Sequence, residues 1–259
     1  MQQRIQSLLH SITKEKQIHI LYAVESGSRA WGFASPDSDY DIRFIYAYPY
    51  KKYLSIENQK ETLEFPITED KLDIAGWEIR KLLRLASKSN AIPFEWLQSP
   101  IVYEAGKDGF REKLWQLLQN YFSQQAMLHH YLGIAKGAAN AIDNGHIKIK
   151  KYFYILRPIL AAMWVRQHKQ VPPMVFQQLL PLLQEHASIE KIIQDLLLRK
   201  EQAKEGEAIA LIPELEEFLL QERYACEAYK AQLGKVHPTS NREALSEFFR
   251  IILSGYKNA

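Results

Sequence analysis

The stretch Val24-Glu-Ser-Gly27-Ser28-Arg29-Ala-Trp-Gly-Phe-Ala-Ser-Pro-Asp-Ser-Asp39-Tyr-Asp41-Ile42-Arg43-Phe44 decides the fold. It begins at the end of a compact apolar run, Ile18-His-Ile-Leu-Tyr-Ala-Val24, which has strand length and stops at a Ser-Gly-Ser turn. Upstream, Ile5, Leu8, Leu9 and Ile12 recur at helical spacing, so the order is helix, strand, tight turn. Downstream, the turn-rich Ser35-Pro-Asp-Ser38 precedes Tyr40-Asp-Ile-Arg-Phe-Ile-Tyr46. There Ile42, Phe44 and Tyr46 alternate with Asp41, Arg43 and Ile45 in the period of a strand. Glu61-Thr-Leu-Glu-Phe65 and Lys71-Leu-Asp-Ile-Ala75 are shorter strand candidates. The second runs into a helix from Trp77 to Ala86 carried by Ile79, Leu82 and Leu83 with Leu85 or Ala86.

From Asp108 the strand signals fade. Amphipathic helical patterns cover 108–122, 124–143, 147–169, 173–185, 187–204, 212–233 and 241–254, with breaks at Asn144-Gly145, Pro172-Pro173, Gly206, Gly234 and Pro238. No internal repeat is visible. The expectation is an α+β protein with a mixed-sheet domain over 1–106 and a helical bundle over 107–259.

Composition excludes several classes. The chain has 259 residues, 47% apolar, with 33 basic and 30 acidic side chains, enough to bury a large core and too apolar for disorder. Apolar runs such as Ile209-Ala-Leu-Ile212, or Ile155 to Val165 with Arg157 and Pro158 inside it, fall short of the ~20 residues that span a bilayer. The first ten residues lack the layout of a signal peptide, and the single cysteine, Cys226, cannot form an internal disulfide. The expected compartment is the cytoplasm, with no membrane partner. The net charge of +3 is a sum of unlike parts: residues 1–106 carry −1, residues 107–170 carry +7 and residues 171–259 carry −3. The middle of the chain is basic.

Alternate strand residues share a face, so Asp39 and Asp41 present two carboxylates side by side, with no basic residue between them. Such a pair calls for a cation. Mg²⁺ or Mn²⁺ takes oxygen ligands and keeps open positions that phosphate oxygens commonly fill. A third acid, Asp73, in the strand candidate after it, is placed to bind a second metal or to take the proton of an attacking hydroxyl. Glu69 and Asp70 lie close enough that a register slip would exchange roles with it. Gly27 and Ser28, at a strand-to-helix turn, offer backbone N–H groups and a hydroxyl to a polyphosphate.

In this order, Gly27-Ser28 followed by Asp39-x-Asp41 resembles the signature of the DNA polymerase beta-like nucleotidyltransferases. The whole of Gly27 to Phe44, with Leu72-Asp-Ile-Ala-Gly-Trp77, Lys88 to Tyr103 and Tyr152-Phe-Tyr-Ile-Leu-Arg-Pro-Ile-Leu-Ala-Ala162, is similar to the RNA repair pathway DNA polymerase beta family. The resemblance implies that Asp39, Asp41 and Asp73 form a catalytic, metal-holding triad and that Gly27 and Ser28 contact nucleotide phosphates. Arg29, beside that turn, is a further phosphate candidate or a partner for Asp37. Lys136 resembles another basic position of the family.

The basic middle opens a helix on which Lys150, Tyr154 and Arg157 fall at i, i+4 and i+7, with Lys151 one step round. This cationic and aromatic face suits a triphosphate and a stacked base, or else a solvated rim of the bundle. Arg157 stands in an otherwise apolar run, unlike a merely solvated residue. Adjacent His129 and His130 point apart on a helix and do not read as a metal pair, Cys226 reads as a packing residue, and Trp31, Trp77, Trp96, Trp115 and Trp164 read as core. The expected function is transfer of a nucleoside monophosphate from an NTP to a hydroxyl acceptor with Mg²⁺ or Mn²⁺. The family name suggests RNA as the acceptor. A protein or small-molecule acceptor, and a non-catalytic nucleotide-binding or antitoxin-like module, are the alternatives.

Overall fold

A computed structural model describes residues 1–202, 207–234 and 242–256. The chain opens with helix α1 (Gln2–Lys16), whose Ile5, Leu9 and Ile12 are buried at helical spacing. Gln17 ends it in the left-handed region, φ +50°. Strand β1 (His19–Ser26) leads into a one-turn helix α2 (Gly27–Trp31), then β2 (Tyr40–Ala47), α3 (Tyr50–Tyr53), β3 (Thr62–Glu64) and β4 (Leu72–Glu78). Helices α4 (Ile79–Ala86) and α5 (Ala91–Gln98), strand β5 (Val102–Glu104) and helix α6 (Phe110–Gln119) follow. The five strands form one mixed sheet in the order β3-β4-β2-β1-β5, in which β2 and β4 are parallel and the other neighbours antiparallel.

The period-two pattern of β2 sorts its side chains between the two faces of the sheet. Ile42, Phe44 and Tyr46 join Ile5, Leu9 and Ile12 of α1 in one apolar cluster, with Leu72 and Ile74 of β4. Asp41 and Arg43 are therefore on the other face. Gly76 keeps the parallel pair close, since a Cβ there would meet the Phe44 ring at 2.2 Å. Trp77, expected in a helix, is the sixth residue of β4. The helix begins two residues later because the Glu78 carboxylate accepts from the Arg80 N–H at 2.9 Å and caps it.

From α7 (Gln124–Ala139) the chain is mainly helical: strand β6 (His146–Lys148), α8 (Ile149–His168), a 3₁₀ helix (Phe176–Leu183), α9 (Ala187–Gln202), strand β7 (Ala208–Ala210), α10 (Pro213–Gln232) and α11 (Glu243–Ser254). The expectation of helix alone is corrected by β6 and β7, which pair antiparallel with His146 opposite Ala210. The segment expected as a helix over 173–185 is 3₁₀ over its central part, where Pro181 lacks the N–H that an α-helix would use. The breaks at Gly206 and Pro238, the end of the helix expected over 187–204 and the start of that over 241–254 lie outside the described residues. Of the five tryptophans only Trp96 is buried, while Trp31, Trp77, Trp115 and Trp164 are half-buried.

The chain divides into two compact units: Met1–Ala30, Asp39–Tyr121 and Pro238–Ala259 form the first, Trp31–Ser38 and Phe122–His237 the second. A single cut after residue 106 does not describe this division. In the first unit α11 packs through Phe248, 5.9 Å from Phe110, and Phe249, 5.3 Å from Tyr53. In the second, Phe33 of the short excursion lies 5.0 Å from Phe153 and 5.4 Å from Phe176. Among the described residues, no helix is long and apolar enough to cross a membrane.

Candidate active site

The acids gather at one end of the sheet because of strand register. Asp41, second residue of β2, is paired with Ser26 of β1 on one side and Asp73 of β4 on the other. Directly paired residues share a face, so the two carboxylates are neighbours across parallel strands. Asp70, the rival for the third acid, sits outside β4 and is paired with Arg4. Gly27 turns the chain at φ +60° so closely beside β2 that a Cβ would lie 2.0 Å from Asp41 Oδ2. Ser28 follows, buried in α2. Asp39 precedes β2 by one residue, half-buried, and its carbonyl accepts from Arg29 Nε at 3.1 Å. The Arg29 guanidinium also lies 3.8 Å from the centre of the Tyr40 ring.

A basic residue does neutralise this cluster, and the sequence reading passed over it. Arg43 follows Asp41 by two residues and so projects from the same face. One guanidinium nitrogen, Nη2, donates to Asp73 Oδ2 at 2.7 Å and Asp41 Oδ1 at 3.3 Å. The other, Nη1, donates to the carbonyls of Ile42 (3.0 Å) and Asp73 (2.8 Å). The period-two alternation of β2 was the signal that placed it there. Among the described residues no three acidic, His or Cys side chains form a ready cage for a metal ion. Asp41 and Asp73, with oxygen donors only and already sharing one cation, nevertheless suit a Mg²⁺ or Mn²⁺ ion that takes its remaining ligands from phosphate and water.

Glu25 supports Asp41 from behind and was also missed. It is fully buried, and its Oε1 accepts from the Asp41 N–H at 2.6 Å while Oε2 accepts from the Tyr103 hydroxyl. Burial raises the pKa of Glu25, and its two hydrogen bonds work in the opposite direction. Burial first, then the Glu25 carboxylate, pushes that of Tyr103 up as well. Ser99 Oγ donates to the Glu25 carbonyl at 2.6 Å, fixing the same residue through its backbone. An acid directly at the end of an apolar strand run was the available clue.

The remaining predicted residues belong to the second unit. Lys136 is exposed in the last turn of α7. On α8, Lys151 is exposed with its ammonium 5.5 Å from the Tyr154 ring centre, and Lys150 and Tyr154 are half-buried. Tyr154 in turn meets the Trp31 ring edge-on at 5.5 Å. Arg157 is 3% exposed: it donates from Nε and Nη2 to the Met174 carbonyl at 3.2 Å and lies 4.5 Å from the Trp31 ring centre. Its place in an apolar run reflects these internal contacts. A lysine that sequence reasoning missed, Lys200, is buried beside this group, bonded to the Phe33 carbonyl and 5.1 Å from the Phe33 ring centre.

A model of the RNA repair pathway DNA polymerase beta family matches residues 1–250. The chain is also similar to the uncharacterized protein YcgL of Bacillus subtilis (strain 168), with 44% identity over 221 residues that cover 85% of this chain and 84% of that protein.

Proposed function

The chain belongs to the RNA repair pathway DNA polymerase beta family, and from that premise we propose that it is a metal-dependent nucleotidyltransferase that joins a nucleoside monophosphate to a hydroxyl acceptor, RNA being the first acceptor to test. The observation that carries this reading is the in-register pairing of Asp41 with Asp73 across parallel strands, beside the Gly27 turn. Asp41 and Asp73, joined by Asp39, would hold the divalent ion. A bound Mg²⁺ or Mn²⁺ ion supplies charge neutralisation for the triphosphate and makes the attacking hydroxyl more acidic.

The chain's own groups do the rest. The acceptor oxygen forms a bond to the α-phosphorus, and the bond from that phosphorus to the α–β bridging oxygen breaks, releasing pyrophosphate. Asp73 takes the hydroxyl proton. The turn at Gly27 and Ser28 receives phosphate oxygens through backbone N–H groups and a hydroxyl. Glu25 fixes the backbone that carries Asp41. Arg29, held by the Asp39 carbonyl and the Tyr40 ring, places a cation next to the acids. In the second unit Lys136 and Lys151 are exposed, whereas Arg157 is occupied in holding its own unit together. The lone cysteine fits a reducing compartment such as the cytoplasm.

The test supplies the full chain with Mg²⁺, each of the four NTPs labelled at the α-phosphate, and RNA fragments with free terminal hydroxyls. Label should enter the RNA with release of pyrophosphate, and Asp41→Asn or Asp73→Asn should remove at least ~99% of the rate, as expected for a group acting in the transition state. Label in protein instead would change the acceptor and keep the chemistry. No pyrophosphate release with any acceptor would reject the enzyme reading.

A further inference from the structure

Arg43 stands where two carboxylates would otherwise repel each other. Nη1 is fastened to two backbone carbonyls, those of Ile42 and Asp73, on neighbouring strands. The fork is therefore anchored through one nitrogen while the other, Nη2, reaches both carboxylates, at 2.7 Å to Asp73 and 3.3 Å to Asp41. The Asp41 contact is the longer and the weaker. Rotation of the Asp41 and Asp73 side chains away from Nη2 leaves the anchor intact, so the exchange of cations needs no unfolding of the sheet.

We propose that Arg43 is a tethered counter-cation that competes with the divalent ion for Asp41 and Asp73 and makes metal binding conditional on the nucleotide's triphosphate. The inference rests on the metal-dependent reading given above. With Arg43 in place, two acids already share one positive charge, and a free divalent ion gains little by displacing it. A triphosphate adds the negative charge that makes a further cation favourable, and linkage requires the metal to favour the nucleotide by the same factor. Arg43 then suppresses metal uptake, and any chemistry it drives, until substrate is present.

Mn²⁺ binding to the full chain, followed by electron paramagnetic resonance with and without ATP carrying a methylene in place of the α–β bridging oxygen, tests this without any turnover. Arg43→Gln should bind Mn²⁺ alone roughly tenfold more tightly than wild type, the order expected for removing one charge a few ångströms away. The enhancement by the ATP analogue should shrink by the same factor. Arg43→Lys, which keeps the charge and loses the fork, should fall between them and carries the test if Arg43→Gln does not fold. Mn²⁺ binding to Arg43→Gln that is no tighter than wild type, while Asp41→Asn still abolishes it, overturns the role of Arg43 and leaves the nucleotidyltransferase reading standing. Mn²⁺ binding that Asp41→Asn does not weaken overturns both.

Discussion

Gly27 and Asp41 are packed so closely that any side chain at Gly27 would displace the carboxylate: a Cβ would sit 2.0 Å from Asp41 Oδ2, and the backbone there has φ +60°. Both facts penalise Gly27→Ala, the first by pushing the carboxylate aside and the second by backbone strain of about 1–2 kcal/mol. Nucleotide transfer should fall by ~100-fold or more, because a carboxylate moved by an ångström loses its geometry toward the reacting phosphate. Urea denaturation gives the stability term, and initial rates of pyrophosphate release give the other. A wild-type rate in Gly27→Ala would mean that Asp41 has no part in the chemistry.

Tyr103→Phe deletes one hydrogen bond to the buried Glu25 and leaves that carboxylate oxygen without its donor. The expected cost is roughly 1–3 kcal/mol at pH 7. Glu25 has a folded-state pKa raised above its ordinary value of 4.5. The stability tied to its proton is thus fully present below pH 4.5 and is lost as the pH rises through the folded value. Losing the tyrosine hydroxyl, which favours the ionised form, enlarges that loss. The difference between Tyr103→Phe and wild type should therefore be larger at pH 7 than at pH 4, and equal differences at both would mean that Glu25 does not titrate as its burial requires.

Legibility in the sequence followed periodicity. Strand β2 was readable because Ile42, Phe44 and Tyr46 alternate with polar neighbours, and α1 because Ile5, Leu9 and Ile12 recur at helical spacing. Helix α5 was not, since Ala91, Pro93, Phe94, Glu95, Trp96 and Leu97 are all buried and a helix covered nearly all round shows no period. The Gly27-Ser28 and Asp39-x-Asp41 pattern marked where β1 ends and β2 begins. Register decided what spacing could not: Asp73 rather than Asp70 lies opposite Asp41, and Arg43 reaches both. Long-range membership was equally hidden. Nothing local in Trp31–Ser38 says that its aromatic rings pack with α8 and the 3₁₀ helix.

Arg157 and Lys151 lie six residues apart on α8, and burial predicts opposite outcomes for their removal. Arg157→Met leaves the buried Met174 carbonyl without its donor and strips the cation from the Trp31 face. A loss of roughly 2–4 kcal/mol in urea denaturation is expected. Lys151→Ala, at an exposed position, should stay within about 0.5 kcal/mol of wild type. An Arg157→Met protein as stable as wild type would show that these buried contacts contribute nothing.

Lys200 gives the second unit a pH dependence of its own. Burial, and secondarily the charge of Lys150, lower its pKa from 10.5 to about 8. Between those values the unfolded chain holds a proton that the folded chain has released, so stability rises with pH across that interval. The contribution is present above pH 10.5 and is lost as the pH falls through 8. Lys200→Met has no such group, so the stability of wild type relative to this variant should climb by roughly 3 kcal/mol from pH 7.5 to 10.5. Lys150→Gln removes the second cause, raises the Lys200 pKa and moves the climb to higher pH. Chemical denaturation of the three proteins at several pH values reads this directly. A constant difference between wild type and Lys200→Met over that range would mean that Lys200 keeps its ordinary pKa despite being 4% exposed against Phe33.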